Sequence, residues 1–117
     1  MARRVPRFPC KASAEVTSDG AMEVTNVTQL SRYGCFLQTP TPLATGTSLA
    51  VKIMNQGQIF AATAIVVYTQ PAIGMGIAFQ EVKSLFQGLL EDWLRELLEK
   101  RGGAAESQDD PARDFNA

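Results

Sequence analysis

Histidine is absent from this 117-residue chain, and cysteine occurs only twice, as Cys10 and Cys35. Without histidine, the commonest general base near neutral pH and the usual zinc ligand sets are excluded. Two cysteines cannot build a disulfide framework, and in a reducing compartment they read as small packed thiols. Long apolar runs are missing too: no stretch approaches the roughly 18 consecutive apolar residues of a membrane-spanning helix. The start, Met1-Ala2-Arg3-Arg4, has the positive flank of a signal peptide without the apolar segment that should follow, so a cytoplasmic location is expected. The chain also lacks a strong excess of either charge, with a formal net charge of −1 and a pI near 5.4. That is not the balance of a nucleic-acid-binding face.

What is present fits one globular domain: 117 residues with 45% apolar content support a modest core and little room for a second. The small net charge conceals an asymmetry. Residues 1–80 hold six Lys/Arg against three Asp/Glu, or +3, while residues 81–117 hold five against nine, or −4. The first part suits an anionic ligand.

Residues 1–9 read as an extended, flexible arm, because Pro6 and Pro9 disfavour helix in the residues before them. Arg3, Arg4 and Arg7 place three guanidinium groups within five residues, a set suited to phosphates and to stacking on planar bases. A solvated basic terminus would read the same way on composition. From Cys10 the pattern alternates, with Ala12, Ala14 and Val16 on one face, as in a half-buried strand. Ser18-Asp19-Gly20 signals a hairpin turn, and Met22 to Thr28 the returning strand. Ser31-Arg32-Tyr33-Gly34 is then a tight turn into a third strand, Cys35–Thr39. Leu49, Val51 and Ile53 mark a fourth strand, and Asn55-Gln56-Gly57 turns it into a fifth, Gln58 to Tyr68. In that fifth strand Phe60, Ala62, Ala64, Val66 and Tyr68 share one face by simple alternation. Met75 to Gln80 is the sixth. Six short strands with tight connections predict an antiparallel barrel or sandwich.

The final element changes period. Leu85, Phe86, Leu89, Leu90, Trp93, Leu94, Leu97 and Leu98 recur at steps of three and four, predicting an amphipathic helix. Ser84 and Gln87 resemble a capping box, and Gly102-Gly103 a stop. The apolar stripe is expected to cover the barrel; part of it, Trp93 included, could instead serve a homodimer or a partner. Residues 10–101 thus form the folded unit, and residues 102–117, polar and acidic, read as a disordered tail. No catalytic set is visible: Glu15, Asp19 and Glu23 fall on exposed strand or turn positions. Gly74-x-Gly76 lacks the rest of a dinucleotide fingerprint. Neither an enzyme activity nor a metal or cofactor is expected.

Arg3-Arg4-x-x-Arg7 on an arm, six strands, and Ser31-x-x-Gly34 after the second strand together resemble a PilZ domain, over about residues 3 to 100. That family carries an Arg-x-x-x-Arg motif and an Asp/Asn-x-Ser-x-x-Gly motif on a six-stranded barrel with a C-terminal helix, and its members typically bind the bacterial second messenger cyclic di-GMP. Gly74-Met75-Gly76-Ile77-Ala78-Phe79 also resembles the family's last strand. The resemblance implies a ligand site made of Arg3, Arg4, Arg7, Gln29, Ser31 and Gly34. Arg3, Arg4 and Arg7 would contact phosphates and guanine, Ser31 would donate to a phosphate or a polar edge of the ligand, and Gly34 would allow close backbone approach. One position departs from the pattern, since Gln29 stands where the family has Asp or Asn. An aspartate accepts two guanine N–H groups at once, whereas glutamine has one acceptor oxygen on a longer stem.

The implied function is a cyclic di-GMP receptor that signals through an unknown protein effector. The runner-up is a PilZ-like adaptor that does not bind the ligand. A third reading is a small barrel binding single-stranded nucleic acid. It needs exposed aromatic platforms, and Phe36, Phe60, Tyr68 and Phe79 mostly fall on inward-reading positions.

Overall fold

The computed structural model describes residues 6–105. Six strands, β1 (Phe8–Ser18), β2 (Ala21–Leu30), β3 (Gly34–Gln38), β4 (Ser48–Asn55), β5 (Gln58–Gln70) and β6 (Gly74–Glu81), precede one helix, α1 (Ser84–Ala105). All neighbouring strands pair antiparallel, and the order β1-β2-β3-β6-β5-β4 closes into a barrel as β4 returns to β1. Closure leaves no free sheet edge.

The two hairpin turns expected from local signals form as two-residue loops. Asp19 and Gly20 join Ser18 to Ala21, and Gln56 and Gly57 join Asn55 to Gln58. All four turn residues have positive φ, the conformation whose twist matches the flanking strands. Alternation then fills the interior. Ala14 and Val16 of β1, Val51 and Ile53 of β4, Leu37 of β3 and Ile77 of β6 are all buried, with polar or small residues between them facing out.

α1 closes one end of the barrel through Leu90 and Trp93, both buried. The ring centroid of Phe60, on β5, lies 6.2 Å from those of Phe86 and Trp93 and 5.1 Å from that of Phe79. The Trp93 indole N–H donates to Gln58 Oε1 at 3.0 Å. An unpartnered buried donor there would cost about 1–3 kcal/mol, so Gln58 is what allows so large a ring to be sunk. Trp93 is therefore a core residue and offers no surface to a partner.

Several boundaries differ from the periodicity reading. β1 starts at Phe8, inside the segment expected to be an arm, because Phe8 and Pro9 pair with Leu30 and Gln29. β2 accordingly runs on to Leu30, past Thr28. The helix begins with the Lys83 carbonyl accepting from the Gln87 N–H at 2.9 Å, so the cap is one residue earlier than Ser84. It continues beyond Gly102-Gly103 to Ala105. Glycine lowers helix propensity by only about 1 kcal/mol, which is a bias and not a stop.

Candidate functional site

The barrel end carrying the β2–β3 turn gathers residues that are far apart in sequence. Phe8 stands opposite Leu30 and Pro9 opposite Gln29. Extending that antiparallel register sets Arg7, exposed just before Phe8, beside Ser31. Arg3 and Arg4 lie outside the described residues. The root of the arginine segment and the Gln29–Gly34 stretch thus share one corner of the barrel.

The turn itself is held from within. The Ser31 N–H donates to the Gly34 carbonyl at 2.9 Å, and the Ser31 hydroxyl donates to the same carbonyl at 3.1 Å. The hydroxyl also accepts from the N–H groups of Tyr33 at 3.3 Å and Gly34 at 3.2 Å. The turn is fastened to β6 as well, since the Phe79 N–H donates to the Tyr33 carbonyl at 2.7 Å. Gly34 pairs with Ala78, and a Cβ there would collide with the Ile77 carbonyl oxygen and lie 3.0 Å from its carbon. In this structure the Ser-x-x-Gly spacing is explained by turn and strand packing. The serine organises the turn, and the glycine lets β3 reach β6. The groups the turn turns outward are Gln29, Arg32 and Tyr33, all exposed.

Two register shifts shape the outer wall beside Gln29. One lies between Pro9 and Ala12 of β1, the other between Val27 and Gln29 where β2 meets β3. Such shifts bend a ladder and re-aim side chains, and they gather near functional sites. Here they flank a concavity of about 560 Å³ lined by Lys11, Asn26, Thr28, Gln38, Met54 and Gln56, among others.

Simple alternation misassigns a second outer feature. Gln29 pairs with Phe36, and the Phe36 ring lies 6.1 Å from that of Tyr68. With Cys35 and Leu37 buried inside, Phe36 must point out. Tyr68 follows it because β5 has its own shift between Val66 and Tyr68, which reverses the face that simple alternation assigned. Added Cβ atoms at Gly74 and Gly76 would run into the Phe36 and Tyr68 rings, so the bare backbone of β6 makes the bed on which both rings rest. Of the four aromatics expected inside, Phe60 is fully buried and Phe79 packs half-buried against the core, while Phe36 and Tyr68 are half-buried on the outer wall. Strict alternation around buried Cys35 and Leu37 could have found Phe36. Nothing local announces the shift that turns Tyr68.

The remaining chemistry is sparse. Cys35 is buried and Cys10 half-buried, both as free thiols. Burial pushes the Cys35 thiol pKa up, with the nearby Cys10 adding to it. Burial likewise raises that of Cys10, opposed by the charge of Lys100. Among the described residues no three His, Cys, Asp or Glu side chains converge as a metal site. Among them, too, no helix is long and apolar enough to cross a membrane.

The family described as the PilZ domain matches residues 2–96. The chain belongs to the PilZ domain family. Solved PilZ structures share its fold at low sequence identity. It superposes with a TM-score of 0.71 at 16% identity on the PilZ domain with c-di-GMP of YcgR from Escherichia coli, covering 88% of this chain and 96% of that one. For the K. pneumonia MrkH–c-di-GMP complex the values are 0.72 and 19%, over 86% of this chain and 54% of that chain. The Bacillus subtilis inhibitor of motility MotI/DgrA gives 0.67 and 19%, over 86% and 53%. This PilZ domain therefore spans about half the length of the latter two. No curated protein sequence matches the chain.

Proposed function

We propose that this PilZ domain is a cyclic di-GMP receptor that passes the signal on through ligand-induced contact with a protein effector. The observation that carries the reading is the pairing of Phe8 with Leu30 and of Pro9 with Gln29, which joins the arginine segment to the Gln29–Gly34 stretch at one barrel corner. Cyclic di-GMP has two phosphodiester charges and two purine faces. The guanidinium groups of Arg3, Arg4 and Arg7 serve both, by forked hydrogen bonds and by stacking. Exposed Gln29 would serve a guanine edge, and the Phe36–Tyr68 pair beside it would add an apolar face. Ser31 and Gly34 contribute by holding the turn, with the serine hydroxyl engaged by backbone groups. The cyclic di-GMP present in the YcgR and MrkH structures supports the choice of ligand.

Ligand binding would order the arginine segment against the barrel and create the surface an effector reads. Gln29 favours a second reading, an adaptor without ligand. Losing a charge-assisted hydrogen bond costs about 1–3 kcal/mol, or one to two decades in affinity. Isothermal titration of cyclic di-GMP into wild type, Arg3→Ala/Arg7→Ala and Gln29→Asp separates the two. Micromolar or tighter binding lost in the arginine variant establishes the receptor. Binding seen only in Gln29→Asp establishes the adaptor, and no heat from any folded protein defeats the ligand assignment altogether.

A further inference from the structure

Arg32 projects from the middle of the Ser31–Gly34 turn, and its guanidinium Nη2 lies 3.5 Å from Glu91 Oε2 on α1. Both side chains are about half exposed, at 56% and 45%. The Gln87 side-chain amide donates to the same carboxylate oxygen at 3.4 Å. The backbone at Arg32 is not free to shift, because Ser31 pins the turn from one side and the Phe79 N–H fastens it from the other. Only the side chain can be redirected. An exposed pair of this kind is worth little, so a competing anion displaces it at small cost.

The position of Arg32 supplies that competitor. It follows Ser31, beside which the extended register sets Arg7, so an anion held by Arg7 would lie next to the turn that carries Arg32. A phosphodiester, like a carboxylate, presents two acceptor oxygens that a planar guanidinium fork can bond together.

We propose that Arg32 is a further ligand-binding residue of this site and that Glu91 competes with the ligand for it. Occupancy of the site then draws Arg32 away from α1 and frees the Gln87–Glu91 turn of the helix. This rests on the receptor reading and deepens it. The pair lies 59 residues apart in sequence and links the ligand corner to the element that caps the barrel. It is a route by which binding reaches the exposed face of α1.

The test is a cycle of titrations of cyclic di-GMP into the full chain carrying no change, Arg32→Gln, Glu91→Gln, or both. Arg32→Gln should weaken binding about tenfold or more, the loss of one charged contact. Glu91→Gln should tighten it about twofold to fivefold, by removing the competitor. In the Arg32→Gln background, Glu91→Gln should change nothing. Equal tightening in both backgrounds would mean a general field effect and would overturn the proposal, as would unchanged affinity in either single variant. If the wild type binds no ligand, the receptor reading falls and takes this inference with it. Wild-type binding with Arg32→Gln unaffected removes the inference alone. Hydrogen exchange at Gln87 and Glu91 gives a second readout. It should speed up on ligand saturation of the wild type, and an unchanged rate would refute the coupling to α1.

Discussion

Replacing Gly34 by alanine separates a glycine needed by the fold from one needed by a ligand. The added Cβ would meet the carbonyl oxygen of Ile77, and it would sit 3.0 Å from the Ile77 carbonyl carbon and 3.1 Å from the Ala78 Cα. All three are backbone atoms of β6, the strand whose Ala78 pairs with Gly34. No side chain can swing aside, so β3 and β6 must move apart near their junction, weakening the pairing beside buried Cys35 and Ile77. Overpacking of this kind costs about 1–3 kcal/mol, and unyielding backbone places it at the upper end. Removing a glycine from the unfolded chain returns about 0.4–1 kcal/mol. A net loss of roughly 2 kcal/mol is expected, or about 8–16 °C in Tm for a domain of this size. The assay is urea unfolding of the ligand-free protein, where the midpoint should fall with the slope unchanged. The reasoning is refuted if Gly34→Ala unfolds at the wild-type midpoint yet fails to bind cyclic di-GMP. The glycine would then serve the ligand's approach and not the barrel.

Gly88 is the converse case. It is exposed in the interior of α1, and a Cβ there meets nothing within 4 Å, so Gly88→Ala should stabilise the protein by about 0.5–1 kcal/mol in the same unfolding experiment. The two thiols predict a pH dependence. Folding raises both pKa values by burial, so the fold favours the neutral thiols. Their contribution is intact below the ordinary thiol value of 9.0 and is lost as pH rises beyond it. Unfolding free energy measured at about pH 8 and about pH 10 should therefore fall, by at most about 1.4 kcal/mol per pH unit for each thiol. The fall should shrink in Cys35→Ala, and an identical slope in that variant would show that other groups govern alkaline stability.

Much of this architecture is legible in local sequence because it depends on near neighbours along the chain. Asp19, Gly20 and Gly57 adopt positive φ as their residue types favour, Gln56 adopts it against its own preference beside Gly57, and those two turns set the β1–β2 and β4–β5 registers. The alternation through Ala12, Ala14 and Val16, and the steps of three and four from Phe86 to Trp93, follow from the geometry of strand and helix alone. The PilZ resemblance likewise rests on short motifs in order. What the residue pattern could not supply is the outcome of pairing between strands. A register shift in β5 is a compromise between two ladders, and it alone decides that Tyr68 faces out beside Phe36. The reason for Gly34 lies in Ile77, and that for Ser31 in the backbone of its own turn. Arg32 meets Glu91 only because the helix lies across the barrel end. Local conformation is set by energies that act over a few residues. Which faces meet is set by closing the barrel, where every strand must satisfy two neighbours at once, and only the tertiary structure solves that.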